Sequence, residues 1–232
     1  MTKAKIVEDS ELEWLLKVTR SPKISGQNAR RNAAMILTLF GTGCTPGEIG
    51  ALLVSDYLAP DGTPLSGDLP AKGKRKPATA MVRAEISFNG YARRIFWSSK
   101  KLVAAIDDYL AERLTRGLGT WNNTGYRGLD PASPLFLGRG NEGFTFRETE
   151  RNGTVYRQYA SVSQLFSKLF QQAGVQGATS LSGRRTLAVK LYRKHTDVRV
   201  IAEVLGNRSL TAVREMCVGD TNHLSELVKD VI

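Results

Sequence analysis

The chain has 232 residues, 41% of them hydrophobic, enough to bury one substantial core. Its 33 Lys and Arg against 22 Asp and Glu give a net charge of +11, and the usual partner of so basic a domain is a polyanion. Cys44, Cys217, His195 and His223 supply neither a disulfide framework nor metal-ligand spacing, and no signal peptide or membrane-length apolar run is present, so no metal, cofactor or membrane is expected and the location expected is cytoplasmic.

Ser10-x-x-Glu13 predicts a capping box that opens an amphipathic helix with Leu12, Leu15 and Leu16 on one face. A second helix is predicted from Ala29 to Phe40, ending at Gly41-Thr42-Gly43. Thr45-Pro46-Gly47-Glu48 then reads as a further helix start, with threonine at the cap, proline at the first position and glutamate at the third. Residues 58–70 form a turn-rich loop. Strands are predicted around Ala80–Phe88 and Arg93–Trp97, joined at Asn89-Gly90, a favoured hairpin pair.

Ser98 or Ser99 caps a helix to about Arg116, and residues 117–134 are irregular. Leu135-Phe136-Leu137 reads as a short strand before a loop over 138–158. Helices follow over 161–173, 180–195, 197–205 and 209–217, with Gly206 at the end of the third. The last pair also reads as a helix-turn-helix. Residues 224–232 place Leu224, Leu227, Val228, Val231 and Ile232 on one stripe of a tail helix, for docking on the chain's own core or on another subunit.

Charge is clustered. Residues 72–101 hold nine Lys or Arg against Glu85 alone, and residues 184–199 hold six against Asp197 alone. The residues expected to contact phosphates are Lys72, Lys74, Arg75, Lys76, Arg93 and Arg94 in the first cluster. In the second they are Arg184, Arg185, Lys190, Arg193 and Lys194.

Several short segments, in order along residues 8–218, resemble the catalytic domain of tyrosine recombinases (phage integrases). Thr42-Gly-Cys-Thr-Pro-Gly-Glu-Ile49 is similar to the family's first arginine box, with Thr45 at the arginine. Residues 84–94 resemble the hairpin that carries the family's lysine, with Phe88 or Asn89 at that position; Lys72 or Lys74 nearby could serve instead. Leu181-x-x-Arg184 matches the His-x-x-Arg box, Leu205-Gly206-Asn207 the Leu-Gly-His box, and Met216 the tyrosine nucleophile. Of these positions only Arg184 keeps the family residue.

The resemblance implies an α+β, mainly helical fold with a small antiparallel β-sheet, as one domain over 1–218 with a tail over 219–232 that docks in trans. It also implies that the family's N-terminal core-binding domain is missing here. That family attacks a DNA phosphodiester with a phenolic oxygen while paired arginines clamp the phosphate. With Thr45, Leu181 and Met216 in place, no catalytic residues are expected. No tyrosine follows Tyr192, so a register shift does not restore the nucleophile.

The function this implies is binding of double-stranded DNA without catalysis, as a regulatory or accessory factor of a bacterial mobile element, associated with nucleoid or plasmid. The alternatives are a non-catalytic partner subunit of an active recombinase, in a homo- or hetero-oligomer, and a divergent recombinase using Cys217. No small-molecule substrate is expected.

Overall fold

The structure, a computed structural model, describes residues 4–65, 80–151 and 154–217. Nine α-helices among these residues carry the fold: α1 (Asp9–Thr19), α2 (Pro22–Ser25), α3 (Ala29–Thr42), α4 (Pro46–Ala51), α5 (Lys100–Thr115), α6 (Ala160–Gln172), α7 (Ser182–Arg193), α8 (Val198–Leu205) and α9 (Leu210–Cys217). Two small antiparallel ribbons complete it, β1 (Met81–Val82) with β2 (Arg93–Arg94), and β3 (Arg147–Arg151) with β4 (Thr154–Gln158).

Helix α3 is the central element because it is buried nearly all round. Ala34, Met35, Ile36 and Leu39 are fully buried, and the helix packs against α1, α5 and α7. Its approach to α7 requires a glycine. A Cβ on Gly183 would lie 2.5 Å from the carbonyl oxygen of Leu39, too close for any side chain. A second apolar cluster joins Ala188 of α7, Ile201, Ala202 and Leu205 of α8, and Val213 and Cys217 of α9. The α8–α9 turn uses Gly206 at φ +65°, the left-handed C-cap that the sequence places there.

Helix boundaries follow local signals. Ser99 caps α5 by accepting the Leu102 N–H, and Asp197 caps α8 by accepting that of Arg199. The first helix starts one residue before Ser10. Glu8 is the cap, and its own N–H donates to Glu11 Oε2 at 3.2 Å, so Ser10 and Glu13 lie inside the helix.

Two expected strands are cut short or lost because backbone groups find side-chain partners instead of a ladder. The predicted strand over 80–88 is paired only at Met81–Val82. Beyond it Arg83 turns back onto the Asp56 carboxylate, Nε to Oδ1 at 3.0 Å, and the Phe88 N–H meets Glu48 Oε1 at 3.4 Å. Leu135-Phe136-Leu137 is buried but is no strand. The carbonyls of Pro134 and Leu135 accept from buried Arg113 (2.8 and 3.2 Å), and that of Leu137 accepts from Arg31 (2.8 Å). Conversely, the loop expected over 138–158 contains the β3–β4 ribbon.

Candidate nucleic-acid interface

Thr45 caps α4, as the sequence predicts. Its Oγ1 accepts the Glu48 N–H at 3.3 Å while Glu48 Oε2 accepts the Thr45 N–H at 2.7 Å. Glu48 is fully buried, and the same Oε2 also takes Arg93 Nη2 at 3.2 Å. One carboxylate therefore ties the α4 N-terminus, the 83–90 turn and β2 together. The sequence shows Glu48 as a capping-box residue and gives no sign of this wider role.

Arg93 is 6% exposed and donates to Glu48, to Cys44 Sγ at 3.2 Å and to the Val204 carbonyl at 3.3 Å, although its Nε has no partner. Burial works against its charge, yet Cys44 and Glu48 together hold its pKa above the ordinary value. Burial pushes the Cys44 thiol up, so it stays protonated.

Arg184 is 5% exposed and lies beside this cluster. Its Nη1 donates to the Gly43 carbonyl at 2.9 Å and its Nη2 to the Leu205 carbonyl at 2.7 Å. The Phe88 ring stacks on it, 4.4 Å from centroid to Cζ. Burial pushes its pKa down to about 10, opposed by the charge of Glu48, which leaves it cationic at neutral pH. Of the two residues the sequence left open at the lysine position, Phe88 thus lies on the arginine. Asn89 instead donates from Nδ2 to the Gly206 carbonyl at 2.9 Å.

The other matched positions surround this cluster. Leu181 is exposed at the N-terminus of α7, and Asn207 has a buried Nδ2 with no partner among the described residues. Met216 packs partly buried against the second apolar cluster, and Cys217 is 2% exposed with its thiol near the Ala188 carbonyl. An open groove of roughly 1310 Å³ runs over these elements, bounded by the α4 and α6 N-termini, the 84–90 turn, Leu181, Thr149 and Gln158. Among the described residues its charged lining residues are Glu48 and Glu85, and no lysine or arginine lines it. Arg208 stacks on exposed Tyr91, 4.3 Å from the ring centroid, a pair that no sequence signal marks.

The cations of α7 meet the N-terminal segment. Arg193 forms a bidentate pair with Glu8 at 3.0 Å, Lys190 pairs with Asp9, and Arg185 donates to the carbonyls of Ala4 and Met216. Thr186 Oγ1 accepts the Val7 N–H at 2.9 Å between them. Lys194 is exposed, and Arg94 is half-buried. Lys72, Lys74, Arg75 and Lys76, and tail residues Leu224, Leu227, Val228 and Val231, lie outside the described residues.

Similarity to solved structures covers nearly the whole chain. The XerA recombinase superposes with a TM-score of 0.66 at 19% identity, over 99% of this chain and 64% of that one. The XerH site-specific recombinase, in a post-cleavage complex with its palindromic difH substrate, gives 0.64 at 18% identity, over 98% and 53%. The fold is that of a tyrosine-recombinase catalytic domain. The Tn1549 transposon integrase in complex with circular intermediate DNA has the same fold, with a TM-score of 0.58 at 14% identity over 100% of this chain and 67% of that one. The chain thus spans less than two thirds of the first two recombinases. No family model matches it, and no curated protein matches it in sequence. Among the described residues no helix is long and apolar enough to cross a membrane, and no three His, Cys, Asp or Glu side chains are grouped to hold a metal ion.

Proposed function

We propose that this protein binds double-stranded DNA through a tyrosine-recombinase fold and neither cleaves nor joins it, acting as a regulatory or accessory factor of a mobile element. The observation that carries this reading is the state of Arg184. It is the one cation retained at the positions matched to the recombinase boxes, and both its Nη atoms are engaged by backbone carbonyls beneath the Phe88 ring. A phosphate clamp needs free donors in a planar fork, and these are buried.

The remaining positions agree. Thr45 offers one neutral hydroxyl in place of a bidentate cation, Leu181 offers no donor, and Met216 has no nucleophilic oxygen. Loss of one transition-state donor costs roughly 10²–10³-fold in rate, and here several are missing together. Duplex DNA as ligand is supported by the net charge of +11 and by the DNA complexes of the XerH and Tn1549 proteins.

A nicked suicide duplex, which traps covalent protein–DNA adducts, tests the reading when combined with a salt titration of duplex binding. We expect salt-dependent binding and no denaturation-resistant adduct. An adduct that disappears in Cys217→Ala would establish a divergent recombinase instead. No duplex binding at moderate salt would remove the DNA-binding half of the reading.

A further inference from the structure

The β3–β4 ribbon has no part in the cluster around Arg184, yet it forms one wall of the groove. It is tied to the body at its base, where the Phe146 and Tyr159 rings meet at 5.3 Å and Ser161 Oγ donates to the Thr145 carbonyl at 3.5 Å. A lone two-stranded ribbon is marginal in water, so one that stands out from a domain gains order from what it contacts.

Its register sorts its chemistry by side. Arg147 pairs with Gln158, and Thr149 lies two residues along on the same side; Thr149 and Gln158 both line the groove. Both carboxylates, Glu148 and Glu150, fall on the other side. The groove side thus carries arginine, glutamine and threonine and no acid. Arg147 is exposed beside a groove that is lined by no cation among the described residues.

We propose that the ribbon enters the major groove of duplex DNA, with Arg147, Thr149 and Gln158 against base edges and Glu148 and Glu150 turned to solvent. The major groove admits a two-stranded ribbon, and arginine and glutamine are the side chains that read guanine and adenine edges there. The proposal rests on the duplex-binding reading and adds to it the element and the groove of contact.

The test uses the full chain, whose cysteines Cys44 and Cys217 are buried. Gln158→Cys is mixed with duplexes bearing an activated thiol tether on a pyrimidine C5, in the major groove, or on a guanine N2, in the minor groove. Gln158→Cys should crosslink to the C5 tether at least about tenfold faster than to the N2 tether, and faster than Glu148→Cys does, as expected for base-edge contact in one groove only. Separately, Arg147→Ala should weaken duplex binding about tenfold with an unchanged thermal midpoint, as for loss of one bidentate base contact.

Equal crosslinking at the two cysteines, or preference for the N2 tether, overturns the proposal. So does wild-type affinity for Arg147→Ala, which would leave duplex binding intact and make the ribbon a protein-contact arm. If the wild-type chain binds no duplex, the DNA-binding reading falls first and this proposal with it.

Discussion

The Phe88 ring lies 4.4 Å from the guanidinium carbon of Arg184, and the arginine's two Nη atoms reach the carbonyls of Gly43 and Leu205. These carbonyls end α3 and α8, so the arginine joins two helix C-termini that present unpaired acceptors. A buried cation on backbone acceptors is a structural fastener. Arg184→Ala should therefore lower stability in urea by about 3 kcal/mol, since it leaves two buried carbonyls unpaired. Duplex affinity of the folded fraction should stay within about twofold, because no phosphate contact, and none of its salt slope, is lost. A uniform loss of affinity with unchanged stability would instead make Arg184 a phosphate ligand.

Thr45 and Glu48 form a reciprocal cap at α4. Thr45→Ala should cost about 1 kcal/mol, the usual worth of an N-cap. Met216→Tyr alone should give no covalent adduct, because a phenol without phosphate clamps lacks the transition-state donors. An adduct from that single change would show that the clamps exist elsewhere in the chain.

Helix starts and stops were legible because each rests on a short-range signal: Thr45-Pro46 at α4, Ser99 at α5, Asp197 at α8 and Gly206 after it. The α7 cations were legible as charge and not as placement. No local pattern shows that Arg193 faces Glu8 or that Arg185 reaches Ala4, contacts separated by more than 180 residues. Arg93 read as a surface cation for the same reason. Its partners Glu48, Cys44 and Val204 are brought to it only by folding. The missing strand at 135–137 has the same origin, since Arg31 and Arg113 take up carbonyls that a ladder would have used.

The N-terminal segment gives a pH prediction. Asp9 is held below the ordinary carboxylate value by its hydrogen bond from Lys190. Burial works against the charge of Glu11, yet the hydrogen bonds from Lys5 and the Glu8 N–H still lower it. A carboxylate depressed in the folded state stabilises above its unfolded pKa and loses that contribution as pH falls through the folded one. As pH falls below about 4.5, where ordinary carboxylates protonate, and on through the lowered values of these two, the segment should detach before the core unfolds. Amide exchange at Val7 should accelerate there while Met35 and Ile36 stay protected. In Asp9→Asn/Glu11→Gln it should lose its pH dependence. Protection of Val7 down to global unfolding would show that Val7 burial alone holds the segment.

The two basic clusters make different predictions. Arg193 and Lys190 of α7 are neutralised within the chain by Glu8 and Asp9, whereas the run Lys72, Lys74, Arg75 and Lys76 contains no acid. Four cations in five residues repel one another unless counterions, or a phosphate backbone that displaces them, offset the charge. Lys74→Glu/Arg75→Glu should therefore lower affinity for any duplex by about tenfold or more at physiological salt and reduce the salt slope by about two. Arg193→Glu should act mainly on stability, through repulsion from Glu8 at the N-terminal segment. Anisotropy titrations at several salt concentrations, with thermal melts of the same variants, separate the two. If reversal at positions 74 and 75 leaves affinity unchanged while reversal at 193 abolishes it, the DNA-contacting face lies on α7, and the N-terminal segment must leave it before binding.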